Sequence, residues 1–134
     1  MTYRKSLPLS GLRILVVEDE YMVAQLLTLM LEDLGCVVIG PFPDAESGVA
    51  GVRNNIIDGA VLDANLGGGM TSAPVAAALQ AASLPFVVAT GYGSLTLSDE
   101  ALDRAPRVTK PFIEAKLEAT AMATFRRPIP AAEG

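Results

Sequence analysis

LRILVVEDEYMVAQLLTLMLEDLG, residues 12–35, reads as a strand that hands over almost directly to a helix. Leu12 to Val17 is an apolar run broken only by Arg13, the pattern of a strand covered on both faces and therefore central in its sheet. From Tyr21 to Leu34 apolar residues recur at helical spacing (Met22, Leu26, Leu29, Met30, Leu34), which predicts a helix with that stripe facing inward, and Gly35 follows as a stop. Two carboxylates, Glu18 and Asp19, stand at the junction.

The same grammar repeats downstream. Cys36 to Ile39 predicts a second strand closed by Gly40-Pro41, and Asp44 to Arg53 a helix with Asp44 as N-cap. Gly59 to Leu62 is a third strand ending at Asp63, and Thr71 to Ala82 an alanine-rich helix capped by Thr71 or Ser72, with Pro74 tolerated in its first turn. A fourth strand, opened by Leu84-Pro85, ends at Thr90, and a short fifth over RVT ends at Lys110. Ser94 to Asp103 predicts a short, weak helix and Ile113 to Phe125 a firmer one. Alternation of this kind implies right-handed crossovers and a doubly wound α/β fold, a five-stranded parallel sheet in the order 2-1-3-4-5 with helices on both faces. Residues 11–126 form the expected single domain, with tails at 1–10 and 127–134.

In such a sheet ligands bind outside the carboxyl ends of the strands, at the point where the strand order reverses. Glu18, Asp19, Asp63, Thr90 and Lys110 all fall there. Each has an ordinary reading alone: acids favour a helix N-terminus, and Thr90 or Lys110 suits a turn or a solvated surface. Together they make a pocket of three carboxylates, a hydroxyl and an ammonium. Glu18, Asp19 and Asp63, with the Asn65 backbone carbonyl, suit Mg2+, whose shell is completed by water and phosphate. Asp63 is then placed to attack phosphorus and become an aspartyl phosphate, with Thr90 donating a hydrogen bond, Lys110 supplying positive charge, and Gly91 leaving room for a donor.

Composition narrows the classes. With 134 residues and 51% hydrophobic side chains, one domain with a real core is expected. No apolar run nears the roughly 18 to 20 residues needed to span a bilayer, and Met1 to Leu12 lacks the apolar centre of a secretory signal, so a cytoplasmic chain without membrane contact is expected. A net charge of -5 argues against nucleic-acid binding, and Arg126-Arg127 is best read as a solvated helix end. Cys36, the single cysteine, reads as a buried, inert thiol. The chain has no histidine, so any phosphohistidine must come from a partner.

Glu18-Asp19, Asp63, Thr90 and Lys110-Pro111, in this order and spacing, resemble the receiver domain of bacterial two-component response regulators over about Leu12 to Phe125. The resemblance implies Mg2+-dependent phosphorylation of Asp63 by a histidine kinase or histidine phosphotransfer protein, autodephosphorylation by water, a phosphate contact from Ala64 and a cis peptide at Lys110-Pro111. The turn Ala89-Thr90-Gly91-Tyr92-Gly93 is similar to that of stand-alone receivers found alongside kinases of the histidine-tryptophan-glutamate type. Two features depart from the family. Arg107 stands where many receivers carry a switching Tyr or Phe, so Tyr92, or a pairing of Arg107 with Asp99, Glu100 or Asp103, is expected to serve instead. Gly67-Gly68-Gly69 replaces a common proline and predicts a mobile loop that metal orders.

The leading expectation is a single-domain response regulator, monomeric or weakly dimeric. It signals to a downstream protein through the surface around Ser94 to Phe125, or drains a shared kinase as a phosphate sink, and catalyses only its own phosphorylation and dephosphorylation. The alternative is a receiver-like interaction module that works without phosphorylation. A haloacid-type hydrolase fits poorly, because no Asp-x-Asp pair follows a strand.

Overall fold

Alternate residues of one short strand feed two separate cores. Ile14 and Val16 point to one face of the sheet, against Leu27, Leu31, Leu117 and Phe125, while Leu15 and Val17 point to the other, against Val52, Val75 and Leu79. A computed structural model of the chain describes residues 7–91 and 96–125. In chain order the elements are β1 (Arg13–Val17), α1 (Tyr21–Asp33), β2 (Val37–Phe42), α2 (Ala45–Asn54), β3 (Gly59–Asp63), α3 (Ala73–Ala81), β4 (Phe86–Thr90), α4 (Glu100–Arg104), β5 (Arg107–Thr109) and α5 (Glu114–Phe125). The sheet is parallel with order β2-β1-β3-β4-β5, as expected, so α1 and α5 cover one face and α2, α3 and α4 the other. No helix among the described residues is long and apolar enough to cross a membrane. Tyr92, the start of the expected fourth helix and the 127–134 segment lie outside the described residues.

Three expectations are corrected. The α1 stripe is rotated: Ala24, Leu27 and Leu31 are buried, with Leu34 just beyond, whereas Met22, Leu26 and Leu29 are exposed. Tyr21–Asp33 is apolar around most of its circumference, so spacing alone does not select the inward face. β2 does not stop at Gly40-Pro41 but runs through it to Phe42. It is an edge strand, where proline's missing N–H is tolerated, and the register with β1 slips between Leu15 and Val17 to take up the extra residue. Gly40 is required there, with φ +108 and Val16 O 3.0 Å from where a Cβ would sit.

Residues 7–10, expected as part of a tail, belong to the folded body. Leu9 is completely buried, its N–H donates to Leu34 O at 2.8 Å, and Gly11 N donates to Gly35 O at 2.9 Å. Other local signals match the residues that carry them. Asp44 caps α2 by accepting from Ser47 N at 2.8 Å, whereas Ser72 precedes α3 without a side-chain cap bond. Thr71 Oγ1 instead accepts from Ala73 N at 3.2 Å. Cys36 is buried, and burial pushes its thiol up to about 11.

Candidate functional site

The strand order makes β1, β3, β4 and β5 successive neighbours, so the residues at their carboxyl ends form one rim. Glu18 and Asp19 follow β1, Asp63 and Thr90 are the last residues of β3 and β4, and Lys110 follows β5. The ends of β4 and β5 are tied by Lys110 N donating to Thr90 O at 2.8 Å.

Lys110 is the centre of the rim. Its Nζ lies 2.9 Å from Glu18 Oε1 and donates to Asp63 Oδ2 at 3.0 Å. Glu18 is 2% exposed and Asp63 4%. Burial, reinforced by a hydrogen bond to Asp63, pushes the Glu18 carboxyl up to about 7, although Lys110 and the Glu20 N–H pull the other way. Burial alone would depress Lys110, but the two carboxylates outweigh it and hold the ammonium above its usual range. One cation therefore serves two buried carboxylates, and negative charge is in excess.

Glu20 joins two of the expected trio of Glu18, Asp19 and Asp63. Among the described residues, carboxylate oxygens of Glu18, Asp19 and Glu20 lie within 4.8 Å of one another, and Asp63 is outside that group. Asp63 instead meets Glu18 through the Lys110 ammonium that both carboxylates approach. Glu20 was missed in the sequence, although the run Glu18-Asp19-Glu20 was the available signal. Its N–H donates to Glu18 Oε2 at 3.1 Å.

Thr90 is 5% exposed, and among the described residues its Oγ1 has no hydrogen-bond partner. A buried hydroxyl without a partner is costly unless a ligand completes it. Among the described residues, a Cβ at Gly91 would meet nothing within 4 Å. Ala64, expected to contact phosphate, has its N–H taken by Ala89 O at 3.0 Å. Asn65 N donates to Asp63 Oδ1 at 3.2 Å, and Asn65 Oδ1 accepts from Gly67 N at 3.0 Å. The three glycines that follow form a tight turn, with Met70 N bonded to Gly67 O and Leu66 N to Met70 O, both at 2.9 Å.

Arg107 pairs with one of its three expected partners. Its Nη2 lies 3.0 Å from Asp103 Oδ1 and also donates to Asp103 O at 3.2 Å, while Leu97 N donates to the same Oδ1 at 2.9 Å. β5, the end of α4 and the chain entering α4 are thus held through one carboxylate. Lys110-Pro111 is cis, as is Gly40-Pro41.

A family profile described as the response regulator receiver domain matches residues 14–122. The chain belongs to the response regulator receiver family. Among solved structures, this receiver is similar to SdrG from Sphingomonas melonis Fr1, at 41% identity over 84% of this chain and 94% of that one, with a TM-score of 0.72. It is also similar to the signal receiver domain of a modulated diguanylate cyclase from Desulfovibrio desulfuricans G20, at 27% identity, 87% and 94% coverage and a TM-score of 0.75. The receiver domain of sensor histidine kinase PA1611 from Pseudomonas aeruginosa PAO1 shares the fold at 22% identity, 82% and 93% coverage and a TM-score of 0.70. That structure has a magnesium ion coordinated in its active site cleft. A comparison with curated proteins gives no match.

Proposed function

We propose that this receiver accepts a phosphoryl group on Asp63 from a phosphohistidine of a partner kinase or phosphotransfer protein, and that phosphorylation alters its binding to other proteins or drains the kinase. The carrying observation is the pairing of Lys110 Nζ with Asp63 Oδ2 at 3.0 Å beside a buried, unpartnered Thr90 hydroxyl. These are a nucleophile, a cation and a hydrogen-bond donor on adjacent strand ends.

The donor set suits a hard divalent cation. Every candidate ligand is an oxygen, and the single ammonium of Lys110 faces two buried carboxylates, leaving negative charge that such an ion relieves. Glu18, Asp19, Asp63 and the Asn65 carbonyl would hold Mg2+, with Glu20 alongside; bound there, the ion supplies charge neutralisation for an incoming phosphoryl group.

The chain's own residues account for the transfer. One Asp63 oxygen attacks phosphorus, the P–N bond to the partner's imidazole breaks, and its electron pair leaves on the imidazole nitrogen. Lys110 exchanges its Asp63 contact for a phosphoryl oxygen, and Thr90 Oγ1 donates to another. In a separate step, water attacks phosphorus, the acyl phosphate P–O bond breaks, and Asp63 is restored with release of inorganic phosphate. The chain therefore acts only on itself. The change at Thr90 and Lys110 is passed to the β5–α4 region held by Arg107 and Asp103, at the cytoplasmic location expected for a partner of a kinase. Monomeric or weakly dimeric behaviour suits that role.

The test is intact mass after incubation with Mg2+ and acetyl phosphate. Wild type is expected to gain one phosphoryl group, while Asp63→Ala, or wild type in EDTA, gains none. No gain in wild type, with no binding of beryllofluoride and Mg2+, would instead favour an interaction module that works without phosphorylation.

A further inference from the structure

Gly67, Gly68 and Gly69 share one backbone demand but not one environment. Their φ angles are +83, +58 and +79, all in the left-handed region that favours glycine. A Cβ at Gly68 or Gly69 would meet nothing within 4 Å, whereas one at Gly67 would come 3.2 Å from Asp19 Oδ2. Turn geometry therefore explains all three glycines, and contact with the carboxylate rim distinguishes the first.

Gly67 is also tethered toward Asp63. Its N–H donates to Asn65 Oδ1 at 3.0 Å, and Asn65 N donates to Asp63 Oδ1 at 3.2 Å. A short chain of hydrogen bonds thus runs from the Asp63 carboxylate to the backbone that lies against Asp19. We infer that Gly67 is a positioning residue for the cation site: its bare Cα sets where the Asp19 carboxylate can sit relative to Asp63 and Asn65, and so favours a small octahedral ion. This rests on the divalent-cation reading given above.

The physical consequence is specific. Asp19 is exposed, so its carboxylate yields to an added methyl group at little cost in stability, and the effect of that methyl falls on ligand position. Mg2+ demands near-octahedral oxygens at about 2.0–2.1 Å, whereas Ca2+ accepts irregular shells at about 2.3–2.6 Å. A displacement of a few tenths of an ångström therefore penalises Mg2+ more than Ca2+.

The experiment is calorimetric titration of the full chain with MgCl2 and with CaCl2, for wild type, Gly67→Ala, Gly67→Asn and Gly69→Ala, with melting temperatures in EDTA. Gly69→Ala carries the same backbone strain without the contact, and Gly67→Asn carries the contact with less strain, because Asn enters the left-handed region more readily. Both Gly67 variants are expected to bind Mg2+ about tenfold more weakly, a typical loss for a group that orients a ligand. Ca2+ affinity should fall by clearly less, and Gly69→Ala should bind both ions as wild type does while melting as low as Gly67→Ala. Equal Mg2+ affinities for the Gly67 and Gly69 variants, or equal losses for the two ions, overturn the inference while leaving the cation site standing. A wild type that binds no Mg2+ overturns the cation reading and the inference with it. Should Gly67→Ala not fold, Gly67→Asn decides alone.

Discussion

Glu18 is buried beside Asp63, and its carboxyl is pushed up to about 7 by that burial and by their hydrogen bond. A carboxyl whose folded value is raised favours folding while it is protonated. That contribution is fully present below pH 4.5, its ordinary value, and is lost as pH rises through about 7. In metal-free protein Glu18→Gln, which stays neutral, should match wild type near pH 4.5 and exceed its stability at pH 8 by about 2–3 kcal/mol. Urea unfolding in EDTA across that range checks this; a difference that does not change with pH would refute it. At this scale much of the site was legible, because Asp63, Thr90 and Lys110 each end an apolar run and chain order fixes where strand ends go. Glu20 was within reach of the run Glu18-Asp19-Glu20, whereas the approach of Gly67 to Asp19 was not legible, since it depends on backbone conformation in a loop, which no residue pattern encodes. The pairing of Lys110 with Glu18 as well as Asp63 was hidden for the same reason.

Among the elements, α2 shows how a local preference yields to packing. Gly51 sits within Ala45–Asn54, where alanine would favour the helix by about 1 kcal/mol. A Cβ there would come 2.6 Å from Phe42 Cε2, 2.8 Å from its Cζ and 3.0 Å from Leu15 Cδ1. Overpacking of that kind costs about 1–3 kcal/mol, so Gly51→Ala should destabilise by up to about 2 kcal/mol net. The urea midpoint should fall at constant m-value; a rise would show that Phe42 yields freely. The number, order and type of elements were legible from periodicity, because a parallel sheet covered on both faces leaves continuous apolar runs. The inward face of α1 was not, because Met22, Leu26 and Leu29 are as apolar as the residues it buries. Nor was the end of β2, where edge position and a register slip override proline's usual effect.

For the whole molecule, the decisive property is that one sheet serves two cores. Val61, Val87 and Val108 line the side with Leu31 and Phe125, and Leu62 and Val88 line the side with Leu79 and Leu102. Neither core keeps its shape without strands that the other also holds, so the chain should unfold in one transition. Leu31→Ala and Leu79→Ala, one from each side, should each cost about 2–5 kcal/mol and shift a single calorimetric peak. Two resolved peaks in either variant would show that the faces melt separately. The chain's entry into this body has a practical side. Leu9 is seated at the end of α1 near Leu34, remote along that helix from the Tyr21 end that adjoins Glu18 and Asp19. A reagent coupled at position 7, where the side chain is exposed, therefore sits at the base of the sheet, at the far end of α1 from the Asp63 rim.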